Sequence, residues 1–405
     1  MPDPIPSKSQ AVAAQALTGE EVAFPPSKGA IRFDRNELAG AFGDIGTDLP
    51  LIVGLVLTAG LDSASVLILF GAMQIFTGIL YRMPMPVQPL KAMAALVISQ
   101  KLTGNILYGA GLAIGIVMLL LAVTGLIEWL ARIVPKTVVR GIQFGLGLQL
   151  ATLALKDFVQ AEGRNGFILA GAAFLVTIFL MGNRRFPAAL FVIGLGLIYA
   201  AVFKLHFSEL GKSVGLSLPH FHVPTRADVI SGFILLALPQ IPLSLGNSIL
   251  ATRQVAHDLF PERKLTVRAI SLTYATMNLI NPLFGGVPTC HGSGGMAGHY
   301  AFGGRTGGSV IIYGTMYLVT GLFLSAGFST FVEVFPKPIL GVLLLFEAIA
   351  LILLTRDLFE SRSDLAIAAL VGLMAVGLPY GYLVGLVAGT LLVYLSRKGW
   401  MRLSS

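Results

Sequence analysis

The chain has 405 residues, 55% of them hydrophobic and only 12% charged, with a formal net charge of +8. Soluble domains carry about 25% charged residues, and no mixed-composition stretch here reaches the roughly 100 residues of an ordinary aqueous domain. These values exclude a soluble globular protein and point to an all-α integral membrane protein with short tails.

The positive charge reads as Lys and Arg in cytoplasmic loops. No nucleic-acid motif accompanies it. Cys290 is the single cysteine, so a disulfide within the chain is impossible.

Residues 1–35 mix Pro, Ser, Gln and scattered charge without an apolar centre. They resemble neither a signal nor a transit peptide and are expected to form a disordered cytoplasmic tail. Fourteen apolar runs follow, at about 38–59, 63–82, 87–100, 105–131, 137–155, 165–182, 187–204, 228–251, 267–284, 289–302, 308–329, 338–355, 363–378 and 380–396. A helix needs about 20 residues to cross a bilayer. The third and tenth runs are too short, and both carry clusters of Pro or Gly. With both termini in the cytoplasm, most Lys and Arg fall in the inner loops, which supports the count and the orientation.

Proline landmarks recur in order. Pro50 and Pro242 lie 192 residues apart, Pro86 and Pro288 202, Pro135 and Pro336 201, and Pro187 and Pro379 192. Seven segments per copy is an odd number, so the second copy is inverted in the membrane, the plan of secondary transporters. Residues 36–204 form the first repeat, 205–227 an extracytoplasmic loop, 228–397 the second repeat and 398–405 a cytoplasmic tail.

The stretch MPMPVQPLKAMAAL, residues 83–96, breaks the third run. Irregular backbone survives in a membrane only against protein or a cavity. Pro86 and Pro89 favour an extended piece over 84–88, with a half-helix starting near Pro89. GGVPTCHGSGGMAGHY, residues 285–300, is the second copy. There Pro288 is expected to end a helix, and Gly292, Gly294 and Gly295 to let the backbone come close to something. The two half-helices are expected to face each other with their N-termini, whose free N–H groups suit a small anion. Lys91 adds a full charge, and Gln88, Ser293 and His291 add side-chain hydrogen bonds.

GAFGDIGTDLPL, residues 40–51, places Asp44, Thr47 and Asp48 in the first segment. Asp44 and Asp48 share a helix face. They are read as proton carriers, partners of Lys91, or helix caps. LPQIPLSLGNSI, residues 238–249, matches this stretch with Gln240, Ser244, Asn247 and Ser248 but no acid. Amides and hydroxyls suit an oxyanion, whereas a proton-coupled nucleobase carrier would more naturally hold a carboxylate. Asn278 and Asn281 either bond between helices or touch substrate. Glu128 and Glu347 are assigned no role, and His257 is expected to be solvated in a basic loop over 252–268. No Walker loop, nucleophile elbow or dinucleotide fingerprint is present, so no enzymatic activity, cofactor or metal is expected.

GDIGTDLPL, PMPVQPLKAMAA, PQIPLSLGNSI and PTCHGSGGMAGHYAFGGRTGGS together resemble the molybdate transporter family, distant relatives of the sulfate permeases. The resemblance spans roughly residues 35–400. It implies the seven-plus-seven fold of uracil permease and its relatives. Segments 1–4 and 8–11 would form a core domain and segments 5–7 and 12–14 a gate domain, with elevator-type alternating access. It also implies Gln88, Lys91, His291, Gly292, Ser293 and Gly294 as substrate-binding residues, with Thr47, Gln240 and Asn247 around them and Asp44 and Asp48 in coupling. The STAS domain common in the larger sulfate permeases is not expected, because the chain stops at Ser405. The function implied is secondary transport of molybdate, with sulfate or tungstate as further substrates. Sulfate has the same charge and shape as molybdate but is smaller, and only cavity size and donor spacing separate them. A general oxyanion carrier, an anion channel, a nucleobase permease and a receptor-like binder are the competing readings. A homodimer in a bacterial inner (plasma) membrane is expected.

Overall fold

A computed structural model describes residues 30–180, 188–204, 214–263 and 265–398. The described residues from Ile31 onward fall in one compact unit. The expected N-terminal tail lies almost wholly outside the described residues, as do Pro187, most of the tail at 398–405 and the start of the loop at 205–227.

The described chain is helical apart from two short strands. Its elements in order are α1 (Arg35–Gly40), α2 (Ile45–Ala59), α3 (Ser63–Tyr81), β1 (Val87–Pro89), α4 (Lys91–Gln100), α5 (Gly104–Thr124), α6 (Leu126–Ile133), α7 (Lys136–Leu153), α8 (Gly163–Leu180) and α9 (Ala188–Phe203). Then come α10 (Arg226–Leu259), α11 (Val267–Ile280), β2 (Thr289–His291), α12 (Ser293–Ala301), α13 (Gly308–Phe323), α14 (Ser325–Val334), α15 (Lys337–Leu353), α16 (Arg362–Gly377) and α17 (Gly381–Arg397).

Each apolar run contains helix, but not every run is one straight span. Among the described residues, six helices are long and apolar enough to cross a membrane: α3, α5, α7, α8, α10 and α15. The pair α13–α14, bent by 98°, makes a seventh. The first run is split at 41–44, before α2. The fourth is split at Gly125, whose φ of 74° places it in the left-handed region open to glycine. The loop expected over 252–268 is helical as far as Leu259, and His257 is exposed on that helix.

Local chemistry fixes many of the ends. Asp62 caps α3 by accepting from Ser65 N at 2.7 Å, and Thr225 and Asp228 form a reciprocal capping box at the start of α10. Pro135 and Pro336 stand at the N-caps of α7 and α15. The buried carboxylate of Glu37 accepts from the backbone N–H groups of Arg305, Thr306 and Ser309 at 2.9–3.0 Å. It thereby satisfies donors at the start of α13 that lipid could not.

The helices pack through small residues. A Cβ on Gly71 of α3 would lie 2.5 Å from the carbonyl oxygen of Gly314 on α13, and one on Gly314 would lie 2.6 Å from that of Gly71. Only glycine allows these two backbones to meet. Elsewhere α5 packs on α11 and the start of α10, and α7 packs on α15 and α16. Large apolar side chains on α8 and α9, among them Phe179 at 80% exposed and Phe203 at 72%, point away from the protein, as lipid-facing helices require.

Candidate functional site

The two breaks meet. β1 and β2 pair antiparallel, with Val87 opposite His291, Gln88 opposite Cys290 and Pro89 opposite Thr289. Two strands alone would leave both outer edges unpaired, which is costly away from water. A side-chain amide closes each edge. On α3, Gln74 donates to Val87 O at 2.7 Å and accepts from Val87 N at 3.0 Å. On α11, Asn278 donates to Thr289 O at 2.6 Å and accepts from Thr289 N at 2.9 Å. Asn281 adds bonds to Val287 O and Thr289 Oγ1. Asn278 and Asn281 therefore hold β2 in place, and Gln74 on α3 holds β1.

The half-helices α4 and α12 start just beyond these strands, at Lys91 and Ser293. Pro89 stays in the strand, so α4 begins two residues later than its sequence implied. Pro288 does not end a helix either: α11 stops at Ile280, and a 3₁₀ turn runs from there to Phe284.

A cavity of about 210 Å³ lies beside the strand pair. Its polar lining is Gln88, Lys91, Gln240, Asn247, Ser248, Cys290, His291, Gly292, Ser293, Gly294 and Glu347, and its apolar wall is Leu243, Ala350, Leu351 and Leu354. Eight of the nine expected substrate-binding residues are thus brought together. Thr47, Asp44 and Asp48 are not in the lining. Asp44 stands behind Gln88, whose amide nitrogen donates to both its carboxylate oxygens at 2.7 Å. Asp48 is fully buried and accepts from the Tyr313 hydroxyl at 3.2 Å. Neither acid pairs with Lys91, because each already has a donor of its own.

The two helix starts are not equivalent. In α4 the N–H groups of Ala92 and Met93 both donate to Gln240 Oε1, at 3.0 and 3.2 Å. Gln240 in turn donates to Ser244 Oγ, which bonds the Tyr274 hydroxyl. Those donors, expected to face an anion, are taken by the protein. In α12 the N-cap is Gly292, which offers no side-chain acceptor. The N–H groups of Ser293, Gly294 and Gly295 therefore have no intrahelical partner, and Ser293 and Gly294 line the cavity. The open helix end is α12.

The glycines around it have separate reasons. A Cβ on Gly292 would lie 2.1 Å from Gln88 Oε1, and one on Gly295 would lie 2.1 Å from Asp44 Oδ2. Around Gly294 no heavy atom lies within 4 Å of the Cβ position. The ring of His291 already has partners in the protein. Its Nε2 bonds Thr273 Oγ1 at 2.7 Å and its face is met edge-on by Tyr81. His291 lines the cavity with its Nε2 already bonded to Thr273.

Glu347, given no role in the sequence, reaches the cavity from α15 and forms an ion pair with Lys91. The Glu128 side chain lies outside the described residues. Among the described residues no group of three or more His, Cys, Asp or Glu could hold a metal ion.

A family model described as a molybdate transporter of the MFS superfamily matches residues 36–150 and 232–351, more than half of the chain. The chain belongs to the molybdate transporter family. Molybdate transporter 2 of Arabidopsis thaliana is 36% identical over 377 residues, 81% of this chain and 80% of the relative. Molybdate transporter 1 of the same plant is 33% identical over 414 residues, 90% of this chain and 88% of the relative. Among solved structures, the transmembrane domain of a cyanobacterial bicarbonate transporter, BicA, superposes with a TM-score of 0.65 at 15% identity, covering 90% of this chain and 98% of that domain. The murine Solute Carrier 26 family member A9 anion transporter, in its inward-facing state, superposes with a TM-score of 0.67 at 11% identity, covering 99% of this chain and 77% of the other. At such identities the likeness shows the fold, that of a multi-pass membrane transporter. In this molybdate transporter family member the two matched segments contain both half-helix starts, and with them Lys91, Gln240, Ser293 and Glu347.

Proposed function

We propose that the chain is a secondary carrier of molybdate that binds the dianion between the open N-terminus of α12 and Lys91. The observation that carries this reading is the cavity itself. Unpaired N–H groups of Ser293 and Gly294 and the Lys91 ammonium line the same small space. A helix N-terminus presents donors and about half a positive charge, and a tetrahedral oxyanion accepts from several directions at once. The size of the space supports a small ligand. At about 210 Å³ it falls below the roughly 300–1,000 Å³ of pockets for drug-sized molecules. Relatives named as molybdate transporters support the choice of anion.

Gln88, Gly292 and His291 shape the site through backbone and packing, with Gln240 and Asn247 beside it. Asp44 and Asp48 belong to the coupling machinery, and Thr47 to the helix start that carries them. Fourteen segments in two inverted copies of seven form a core around the strand pair and a gate of α7–α9 and α15–α17. The recurrence of strand, half-helix, long helix and bent short helix in the same order supports the repeat, as do the matched amides of Gln74 and Asn278. Core moves against gate as an elevator, with proton coupling. The protein sits as a homodimer in the plasma membrane, both tails cytoplasmic. The test is uptake into proteoliposomes: molybdate should accumulate and saturate, with tungstate as a competitor and sulfate weaker. Equal competition by sulfate would make it a general oxyanion carrier. Ionic currents without saturable uptake would make it a channel, and uptake of nucleobases instead would replace the reading.

A further inference from the structure

Among the described residues, Lys91 is the one Lys or Arg lining the cavity, and Glu347 the one carboxylate. They are paired to each other, and both are partly exposed, at 26% and 17%. An oxyanion arriving at this site meets a lysine already neutralised and a carboxylate standing next to it. Two like charges a few ångströms apart in a partly dry space repel strongly. The oxyanion cannot take the lysine while Glu347 keeps both its charge and its place.

The neighbouring ionisable groups do not share this position. They are Asp44 ahead of α2, Asp48 on α2, and Cys290 and His291 on β2. Asp44 is held by the Gln88 amide, Asp48 by Tyr313, and the His291 ring by Thr273. From α10 the lining side chains are Gln240, Leu243, Asn247 and Ser248, which carry no charge. Among the described residues, Glu347 has Lys91 as its side-chain partner.

Resting on the oxyanion-carrier reading above, we infer that Glu347 is the internal competitor for the substrate: its carboxylate occupies Lys91 in the empty site, and it takes up a proton and releases the lysine when the oxyanion binds. The proton comes from water and ends on a carboxylate oxygen of Glu347. No covalent bond to the anion forms. The charges of Lys91 and Glu347 sum to zero in the empty site. The loaded site holds the lysine cation, a neutral acid and a dianion, so one dianion enters with one proton. Because Lys91 lies on α4 and Glu347 on α15, the same exchange unfastens two helices that the empty site ties together. Substrate binding and release of that tie become one event.

The test is calorimetric titration of molybdate into the purified full chain, in two buffers of different ionisation enthalpy, at neutral and mildly acidic pH. Sulfate, which carries no proton in that range, is the second probe. The wild type should bind tighter at the lower pH and take up one proton per anion, read as a buffer-dependent heat. Glu347→Gln keeps the shape of the side chain, should bind at least about tenfold tighter at neutral pH, an effect of ~1.4 kcal/mol, and should lose the buffer dependence. Glu347→Asp should keep it. A Glu347→Gln protein that binds no tighter than wild type, or that still takes up the proton, would overturn the inference, as would a proton lost only in Asp44→Asn. If Glu347→Gln does not fold, the wild-type titration decides alone, since binding without proton uptake is equally fatal. Wild-type protein that binds neither molybdate nor sulfate would refute the carrier reading itself, a different result from either of these.

Discussion

Replacing Gly292 with alanine should break the site from behind. The new Cβ would stand 2.1 Å from Gln88 Oε1 and 2.2 Å from its Cδ. Ordinary contact is about 3.5 Å, so the amide must retreat by about 1.4 Å. Gln88 has little room to do so, being 3% exposed with its nitrogen on both oxygens of Asp44 at 2.7 Å. A retreat of that size takes the amide out of hydrogen-bonding range. Overpacking costs about 1–3 kcal/mol and the loss of a hydrogen bond to a charged group about 1.5–3 kcal/mol, or roughly 3–6 kcal/mol together. Gly294→Ala is the matched control, since nothing lies within 4 Å of its Cβ position. Its methyl group should leave stability near wild type. Thermal unfolding of the two variants in detergent, followed by size-exclusion chromatography, compares them directly. Equal midpoints for Gly292→Ala and Gly294→Ala would refute the claim that Gln88, held by Asp44, fills the space over Gly292.

Ser293→Leu should abolish molybdate uptake at normal expression, because the larger side chain enters a cavity of only about 210 Å³; normal uptake would contradict the placement of the site. Lys91→Ala removes the one Lys or Arg of the lining and should weaken molybdate binding by about a hundredfold, ~2.7 kcal/mol, measured by calorimetry on folded protein. Gln240→Leu strips the acceptor from Ala92 N and Met93 N and should cost about 1–3 kcal/mol of stability, visible as a lower unfolding midpoint, whereas Gln240→Glu should keep the cap. Outside the membrane spans, partial burial raises the Asp62 carboxyl, but hydrogen bonds from Ser65 and the nearby His220 outweigh it and hold it below its ordinary value. Its contribution is therefore present above the unfolded value of about 3.9 and lost as pH falls through the lower folded value. The group is half exposed, so the effect should stay under ~1 kcal/mol. Unfolding midpoints of wild type and Asp62→Asn across acidic pH should converge below that window.

The membrane class, the helical fold and the meeting of the two breaks were legible because their signals are local. Composition reports lipid, and Pro84, Pro86, Pro89 and Pro288 report interrupted backbone. Gln88, Lys91, Gln240, Asn247, His291 and Ser293 stand out because polar groups are rare in such runs, whereas Gly292 and Gly294 follow from the family resemblance. What those groups bond to was not legible. Glu347 sits in LLLFEAIA with nothing to mark it as the partner of a lysine 256 positions earlier. The amide of Gln240 reads equally well as a substrate ligand or as the cap of another helix. His291 stands out as a site residue and lines the cavity, but its ring bonds Thr273 in a neighbouring helix, which its own stretch does not reveal. Gly125, by contrast, is a local stop signal in the run at 105–131, masked by the apolar residues on both sides of it.

The most direct test of the central claim uses the scattering of molybdenum itself. Crystals of the purified chain grown with saturating molybdate, measured at the molybdenum absorption edge, should show an anomalous peak in the cavity between α12 and Lys91. It should lie within hydrogen-bonding reach of the N–H groups of Ser293 and Gly294, with Glu347 moved off the lysine. A peak elsewhere in the protein, or a cavity that stays empty while Lys91 keeps its pairing with Glu347, would contradict it.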